Sequence, residues 1–252
     1  MAKPTRFPRN LAAYTALALV AAGPAIAQDS GFALGAGVFS ERRAYGDTTT
    51  SALPFLSYDS RYFSVEGTSA DLKLPWISGD RLQFTLRARY SIGEGYEAAD
   101  DPILSGMAER EGGLWLGGTV TFAADFADLS LEAVHDVSGD SDGSRIRLEA
   151  ARSFRWDRFS LTPSIAATWL DDNAVNYFYG VLPSEAMAGR AAYEGTATTN
   201  ISLGLRAGYS LTERQMILFD ASVTSLGDGI TRSPITTEDS VTSVGLGYIY
   251  RF

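Results

Sequence analysis

The chain ends with the sequence VGLGYIYRF (244–252), in which two kinds of side chain alternate. Every second residue, which we call one parity of the segment, is apolar, and these residues become aromatic toward the terminus: Val244, Leu246, Tyr248, Tyr250 and Phe252. Because successive side chains of a β-strand leave opposite faces, a strand here would have one apolar face and one face of mixed character. An aromatic face on a last strand is unusual for a water-soluble protein, so the surroundings of that face decide the fold.

The same alternation occurs in further segments of the chain: 81–90, 145–150, 159–169 and 200–209. Strands of a soluble sandwich also alternate, because one face packs on a core and the other contacts water. Three features favour a membrane instead. Most segments run to about ten residues, which is the length of a tilted strand that crosses the hydrocarbon layer. Arginines occupy the polar parity in mid-strand, and aromatic residues collect at strand ends, as in interfacial girdles.

These patterns predict an all-β fold, a closed antiparallel transmembrane β-barrel, in which closure pairs the backbone groups that lipid cannot solvate. The candidate strands are 32–40, 52–59, 61–70, 81–91, 112–123, 128–136, 143–153, 158–169, 199–210, 214–224 and 240–252. That count is odd, whereas bacterial single-chain barrels have an even number of strands. We predict twelve strands, with ten as the alternative, and place the miscount between residues 32 and 80.

The connections between these strands alternate in length. The short ones, which we interpret as periplasmic turns, are 124–127, 154–157 and 211–213. The longer polar ones, which we expect on the outer side, are 92–111, 136–142, 170–198 and 225–239. This assignment follows the usual arrangement of outer-membrane barrels, with short periplasmic turns and long external loops.

The N-terminus has the pattern of a secretory signal peptide. Basic residues precede the apolar run LAAYTALALVAA, and Ala25 and Ala27 provide the small residues of a cleavage site. The apolar run has about twelve residues, fewer than the roughly 20 that a helix needs to span a bilayer. We therefore predict a signal peptide over residues 1–27, cleaved before Gln28, and a barrel over residues 28–252.

Composition excludes several kinds of function. The chain carries 21 Lys+Arg against 30 Asp+Glu, and removal of the three basic residues in 1–27 would leave a net charge of −12. A nucleic-acid partner is therefore not expected. The absence of cysteine excludes disulfides, zinc–thiolate sites and cysteine nucleophiles. We expect no cofactor.

Charged residues on the polar parity form the most unusual group in the sequence. They are Arg81, Arg87, Arg89, Glu132, Arg145, Arg147, Glu149 and Arg206. We expect them to form a ladder of ion pairs inside the barrel, because an uncompensated internal charge is costly and narrow barrels fill with side chains. The alternative is a constriction that attracts anions.

Catalytic and metal sites have weaker support. The single histidine, His135, shares its parity with apolar residues, so we expect it to face lipid near the rim and predict that the protein is not an enzyme. Asp136, Asp140 and Asp142 lie in DVSGDSDG (136–143), which lacks the spacing of a calcium-binding hand. A solvated turn is the favoured interpretation.

Several stretches resemble the MipA/OmpV family of outer-membrane proteins. They are PFLSYDSRYFSVEG (54–67), ILSGMAEREGGLWLGGTVTF (103–122), LTPSIAATWLDDNAVNYFYGV (161–181), YSLTERQMIL (209–218), SPI (233–235) and YIYRF (248–252). Together they run through most of the chain in family order. Two segments depart from the family pattern: ERRAYGDTTTSALP (41–54), and PSEAMAGRAAYEG, which begins at Pro183.

The resemblance implies a location in the outer membrane, in contact with lipid and lipopolysaccharide, and a scaffold role that joins a periplasmic murein hydrolase to a murein synthase. Resemblance to barrel proteins generally implies that the barrel-assembly machinery reads Tyr248, Tyr250 and Phe252. Alternatives for this family are a small-solute channel and a barrel for surface adhesion or stress response. A lipid-modifying barrel enzyme is a further alternative, and it would depend on His135.

Overall fold

The computed structural model describes residues 31–92 and 94–252, so the predicted signal peptide lies outside the described residues. The strands are β1 (Gly31–Arg42), β2 (Thr48–Asp59), β3 (Phe63–Glu66), β4 (Ser69–Lys73), β5 (Leu82–Tyr90), β6 (Leu114–Ala123), β7 (Asp128–Asp136), β8 (Ser144–Ala151), β9 (Phe154–Trp156), β10 (Phe159–Leu170), β11 (Thr198–Ser210), β12 (Gln215–Ser225) and β13 (Ser240–Arg251). The long connections contain two helices, α1 (Asp172–Tyr179) and α2 (Asp228–Thr231). Within the described residues, no helix is long and apolar enough to cross a membrane.

All the strands belong to one antiparallel sheet that closes on itself. The closing contact joins the first strand to the last: Leu34 lies opposite Tyr250, and Val38 lies opposite Leu246. Closure leaves no sheet edge that runs the full height of the wall, which a barrel in lipid requires because the hydrocarbon offers no hydrogen-bond partners. The predicted fold, a closed antiparallel barrel that ends on its C-terminal strand, is confirmed.

Strands β8 and β9 are two parts of one barrel strand. Ala151 lies opposite Ser164 and Phe154 lies opposite Leu161, so the register continues across the break. The amide of Arg152 donates to the carbonyl of Pro163, but proline has no amide hydrogen with which to return the bond. Counted as one strand, β8 and β9 give the described chain the twelve predicted strands.

The twelfth strand lies in the N-terminal third of the chain, as predicted. The candidate segment 61–70 divides into the short strands β3 and β4, joined at Gly67 and Thr68. Gly67 has a φ of 55°, a left-handed conformation that glycine adopts without steric cost. Its amide donates to the carbonyl of Leu56, which fixes the turn against β2.

One predicted turn is misplaced. Residues 154–156 of the predicted turn 154–157 extend the strand as β9, and the chain reverses at Asp157 and Arg158. Asp157 takes the left-handed conformation, with a φ of 50°, which aspartate tolerates better than most residues. The three preceding residues pair with β10 because their alternation continues that of β8.

The two faces of the wall differ as the alternation predicts. Apolar side chains on the outer face are exposed, for example Leu246 at 58% and Leu148 at 57%. Residues of the opposite parity, such as Thr119 and Glu149, are buried inside the barrel. A wall of this kind is apolar toward lipid and polar toward its interior, which is the arrangement of outer-membrane barrels.

The two ends of the barrel differ in their connections. We call turn end the one that carries Gly31, Phe252 and the connections 60–62, 74–81, 124–127, 157–158 and 211–214. We call loop end the opposite one, which carries the connections 43–47, 91–113, 137–143, 171–197 and 226–239. Short turns face the periplasm in outer-membrane barrels and long loops face the exterior.

Candidate functional site

A network of charges crosses the barrel interior between β4, β5 and β7. The guanidinium of Arg87 lies 2.7 Å from Asp71 and 2.5 Å from Glu132. Arg89 binds the second oxygen of the same Glu132 carboxylate. One glutamate therefore bridges two arginines, and the side chains of all four residues are largely buried. Such charges can remain in the interior because each has a partner of opposite sign.

Two more pairs continue around the interior wall. Arg147 lies 2.6 Å from Glu149 and also donates to the hydroxyl of Thr168. Two strands farther around the wall, on β11 and β12, Arg206 lies 2.6 Å from Asp220. With Arg87 and Arg89 of the preceding network and Arg145 at the loop end, five of the predicted arginines therefore pair with a carboxylate inside the barrel or at its loop end.

Arg81 is not one of the interior charges, which corrects the sequence interpretation. It precedes the first residue of β5, and its side chain is 63% exposed. Its guanidinium lies 3.2 Å from Asp125, which is 87% exposed. The alternation of β5 would turn Arg81 inward if the strand continued, but the strand ends at Leu82 and the side chain lies on the rim of the turn end.

Three of the acidic partners were not recognised in the sequence. Asp71 and Asp220 occupy inward positions of β4 and β12, opposite Arg87 and Arg206. The alternation in QMILFDASVTS could have assigned Asp220 to the interior, because Asp220 is the single charged residue of this strand. Glu94 comes from a loop, and no local pattern could assign it to Arg145.

Arg145 connects the interior network to the loop end. Its guanidinium pairs with Glu94 and lies 3.9 Å from the centroid of the buried Trp115 ring. The ring of Phe178 in α1 lies 5.5 Å from the same guanidinium. Burial opposes ionisation of Glu94, but the charge and hydrogen bond of Arg145 outweigh that effect and hold the pKa of this carboxyl below its ordinary value. The carboxyl of Glu94 is therefore ionised at neutral pH.

The long loops form a packed lid over the barrel, which we call the loop cap (43–47, 91–113, 171–197 and 226–239). Its inner apolar cluster consists of Trp115, Val134, Leu170, Ala174, Val175, Phe178 and Ile230, so it includes strand residues below the lid. Its outer apolar cluster consists of Tyr45, Tyr96, Leu104, Met107, Val181 and Ile235. The sequence indicated long polar connections on the outer side but not their packing, which arises because apolar residues scattered in sequence meet in space.

Buried polar contacts hold the loop cap together. Arg110 lies 3.0 Å from Glu185, and both side chains are buried. Burial disfavours the charged form of Glu185, but amide donors of Leu182 and Ala108, together with Arg110, hold its pKa below the ordinary value. Arg190 donates to backbone carbonyls of the loop 91–113. Burial raises the pKa of Tyr96 to about 12, so this ring stays neutral.

The acidic stretch 136–143 is a self-contained turn. The carboxylate of Asp136 accepts hydrogen bonds from the amides of Ser138 and Ser141, at 2.9 and 2.8 Å. Asp136 is buried, so the favoured interpretation of a solvated turn is wrong for this residue, whereas Asp140 and Asp142 are exposed. Within residues 31–92 and 94–252, no cluster of three or more acidic or histidine side chains could hold a metal ion.

His135 lies on the outer wall near the loop end, where the alternation places it. Its Nδ1 lies 3.1 Å from the hydroxyl oxygen of Ser144 on the neighbouring strand. A histidine base of a serine hydrolase also needs a third group that orients its other ring nitrogen. No described side chain forms a hydrogen bond with Nε2 of His135. The contact is a two-residue pair without the rest of a catalytic site.

The aromatic end of the closing strand faces outward at the turn end. Tyr248 and Phe252 are exposed. The ring of Phe252 lies 5.0 Å from Tyr250 and 5.4 Å from Phe32 of β1. These rings form a cluster at the seam where the barrel closes, and the structure places the predicted assembly residues together there.

The rim of the turn end carries charges of both signs. Glu213 and Arg214 are exposed in the connection 211–214, and Asp125 pairs with Arg81 in another part of the rim. Asp128 begins β7 and is partly buried. These side chains belong to a surface that a partner could reach from the periplasm.

A family model described as MltA-interacting protein MipA matches residues 34–252. MltA-interacting protein of Escherichia coli strain K12 is 26% identical over 252 residues, which cover 94% of this chain and all of that protein. Outer membrane protein OmpV of Vibrio cholerae is 24% identical, over 82% of this chain and 80% of its own length. Both relatives therefore match along nearly the whole barrel.

Solved structures similar to this chain include an outer membrane channel of Pseudomonas putida F1. It is 14% identical, with a TM-score of 0.44, over 90% of this chain and 97% of that one.

Proposed function

The chain belongs to the family described as MltA-interacting protein MipA, and from that premise we propose that this outer-membrane barrel is a scaffold for periplasmic murein enzymes. The partner would be a murein hydrolase or synthase, and it would bind the rim of the turn end. The name of the Escherichia coli relative supports this class of partner.

The packing of the loop cap above the interior ion pairs is the observation that carries the proposal. Arg87, Glu132 and Arg89 form a continuous group of ion pairs inside the wall. Above them, the loop cap buries Leu104 and Ile230 completely. A pore that conducts small solutes needs a path lined by hydrated groups, and both features oppose such a path. A scaffold requires only an accessible surface.

The rim of the turn end supplies that surface. Its charged side chains include Asp125, Asp128, Glu213 and Arg214. Charges on the rim of an interface raise the association rate and make it sensitive to salt, more than they deepen the affinity. We therefore expect binding of the periplasmic partner to weaken with increasing ionic strength.

An enzymatic role has less support. His135 and Ser144 approach within hydrogen-bonding distance, but a nucleophile and a base also need an oriented third group and donors for the developing oxyanion. In this proposal the pair is a cross-strand contact on the outer wall, and the protein itself is not catalytic.

The test is capture of a purified MltA-type murein hydrolase by the refolded barrel. The variant Asp125→Asn/Asp128→Asn/Glu213→Gln removes three negative charges from the rim. We expect weaker capture, mainly through slower association, and a larger difference at low salt than at high salt. His135→Ala is the matched control outside the rim, and its capture should equal that of the wild type.

Two results would overturn the scaffold proposal. One is capture that the triple variant leaves unchanged at every salt concentration. The other is steady single-channel current through the wild-type barrel in planar bilayers, which would favour the channel. Lipid hydrolysis that is lost in both His135→Ala and Ser144→Ala would instead favour an enzyme.

A further inference from the structure

A surface pocket of about 340 Å³ lies at the turn end, where the connection 211–214 meets the closing strand β13. It is lined by Thr212, Glu213, Arg214, Gln215 and Tyr250. That volume is within the range of small-molecule sites, roughly 300–1,000 Å³. The lining residues supply one carboxylate, one guanidinium, one amide and one aromatic ring. Two opposite charges at one pocket match a ligand that itself carries a cation and an anion.

Hydrogen bonds hold the backbone around this pocket. The hydroxyl of Thr212 accepts from the amides of Arg214 and Gln215, at 3.3 and 3.1 Å. The amide of Arg251 donates to the carbonyl of Arg214 at 2.7 Å, which ties the turn to β13. The side chains of Glu213 and Arg214 are exposed and have no hydrogen-bond or ion-pair partner among the described residues. A fixed backbone therefore carries two charged groups that are available to a ligand.

The strand residues of the pocket belong to the outer face of the wall. Gln215 lies opposite Tyr250, and Ile217 lies opposite Tyr248 on the same face. Tyr248 is 42% exposed on that face, and the ring of Tyr250 lies 5.0 Å from the exposed ring of Phe252. Aromatic rings at the end of a membrane strand mark the level of the lipid headgroups. The pocket is therefore at the level of the headgroup layer.

We propose that Glu213, Arg214 and Tyr250 form a binding site for the zwitterionic headgroup of phosphatidylethanolamine in the periplasmic leaflet. The guanidinium of Arg214 donates to the phosphate oxygens. The carboxylate of Glu213 accepts hydrogen bonds from the primary ammonium, and the ring of Tyr250 offers an apolar surface to the glycerol region.

Glu213 is also a charge of the rim, so the bound lipid lies at the border of the surface proposed for the periplasmic partner. Lipid binding itself requires no protein partner, so it can be tested on the barrel alone.

The test measures which phospholipid the full barrel retains in neutral detergent. Native mass spectrometry gives the affinity for the first bound molecule of phosphatidylethanolamine, phosphatidylcholine or phosphatidylglycerol. Phosphatidylcholine carries the same phosphate, but its quaternary ammonium has no N–H group to donate to Glu213. Phosphatidylglycerol has no ammonium and is anionic, so the carboxylate repels it. Wild type should bind phosphatidylethanolamine more tightly than either of the other two lipids.

Two single variants separate the roles of the charges. Glu213→Gln should abolish the preference for phosphatidylethanolamine over phosphatidylcholine and raise the affinity for phosphatidylglycerol, because the carboxylate is gone. Arg214→Gln should weaken binding of all three lipids by about fivefold, the effect of one basic residue near anionic headgroups. Neither side chain has a partner among the described residues, so both variants should fold. Heat-modifiable migration on gels verifies the barrels.

The matched control is Asp157→Asn/Arg158→Gln. It removes an adjacent pair of opposite charges from exposed positions in another short turn of the same end. This variant should keep the wild-type affinities for all three lipids.

Three outcomes would overturn the proposal. The first is a wild-type barrel that binds phosphatidylethanolamine and phosphatidylcholine equally. The second is a control variant that loses the preference as fully as Glu213→Gln, which would indicate general attraction by the turn end. The third is binding of a murein stem peptide, also zwitterionic, that depends on Glu213 and Arg214 while phosphatidylethanolamine is not retained. That result would assign the pocket to the cell wall.

Discussion

At the loop end Leu104, Ile230 and Ile235 are completely buried, whereas at the turn end Phe126 is 65% and Phe252 69% exposed. The same contrast holds for ion pairs: Arg110 and Glu185 are buried together in the loop cap, and Arg81 and Asp125 meet in solvent on the rim. At the loop end, apolar side chains and the Arg110–Glu185 pair are packed away from water. The turn end leaves aromatic and charged side chains exposed.

The difference between the two ends bears on function because it determines which side chains a partner or a solute can reach. A barrel whose external loops pack into a lid leaves little room for solutes to cross the membrane. The length of these loops and their polar residues are therefore better explained by the packing of the lid than by transport. The turn end presents exposed side chains such as Phe126 and Asp125 without a packed lid, and that asymmetry supports a scaffold.

We expect the largest loss of stability when the buried Arg110–Glu185 pair is broken, and almost none when the exposed Arg81–Asp125 pair is broken. Glu185→Gln leaves the buried guanidinium of Arg110 without a counter-charge, and such a loss costs about 3–5 kcal/mol. The loop cap should loosen, which limited proteolysis and urea unfolding would measure. The matched change at the turn end, Asp125→Asn, breaks an exposed pair with Arg81 and should leave the urea midpoint almost unchanged. Equal destabilisation by both variants would remove the contrast between the ends.

A cavity comparison tests the apolar part of the same contrast. Leu104→Ala creates a cavity in the outer cluster of the loop cap and should cost about 2–5 kcal/mol. Leu211→Ala makes the same chemical change at the turn end, where the side chain is exposed, and should cost far less. Urea unfolding of the two variants provides the comparison, and similar costs would show that the loops are not a packed lid.

A smaller effect is expected from acidification. The carboxyls of Glu94 and Glu185 have pKa values held below their ordinary value. Ionisation of such groups stabilises the fold above the unfolded pKa of about 4.3, and this stability is lost as the pH falls through the lower folded value. The loop cap should therefore loosen below about pH 4.

Trp115 reports this loosening because it lies beneath the loop cap against Arg145. In a variant that retains it as the single tryptophan, acrylamide quenching should increase as the pH falls from 5 to 3. The same measurement on a Glu94→Gln background should show a weaker dependence on pH. Quenching that is constant over this range would contradict the assigned role of the two carboxyls.

The wall of the barrel could be predicted from the sequence because its signal is local. Alternation within β10 or β13 assigns each residue to lipid or interior without knowledge of other strands. The same signal placed Arg87 and Glu132 on one face, and it could have found Asp220. It failed at Arg81, because β5 begins at Leu82, one residue later than the pattern suggested.

The loop cap could not be predicted in this way. Tyr45, Leu104 and Ile235 come from three different loops, and no period connects them in sequence. The pairing of Glu94 with Arg145 depends on a loop conformation that packing determines. The resemblance to a family implied the location in the outer membrane, but it did not indicate that the long loops pack together.

The most direct test of the scaffold is photo-crosslinking in intact cells from one position at each end of the barrel. A photoreactive residue replaces Glu213 at the turn end or Glu97 at the loop end, both of which are exposed. We expect position 213 to form an adduct with a murein hydrolase or synthase and position 97 to form none, as mass spectrometry of the adducts would show. Adducts with murein enzymes from position 97, or none from position 213 and from a second rim position, Asp125, would contradict the scaffold.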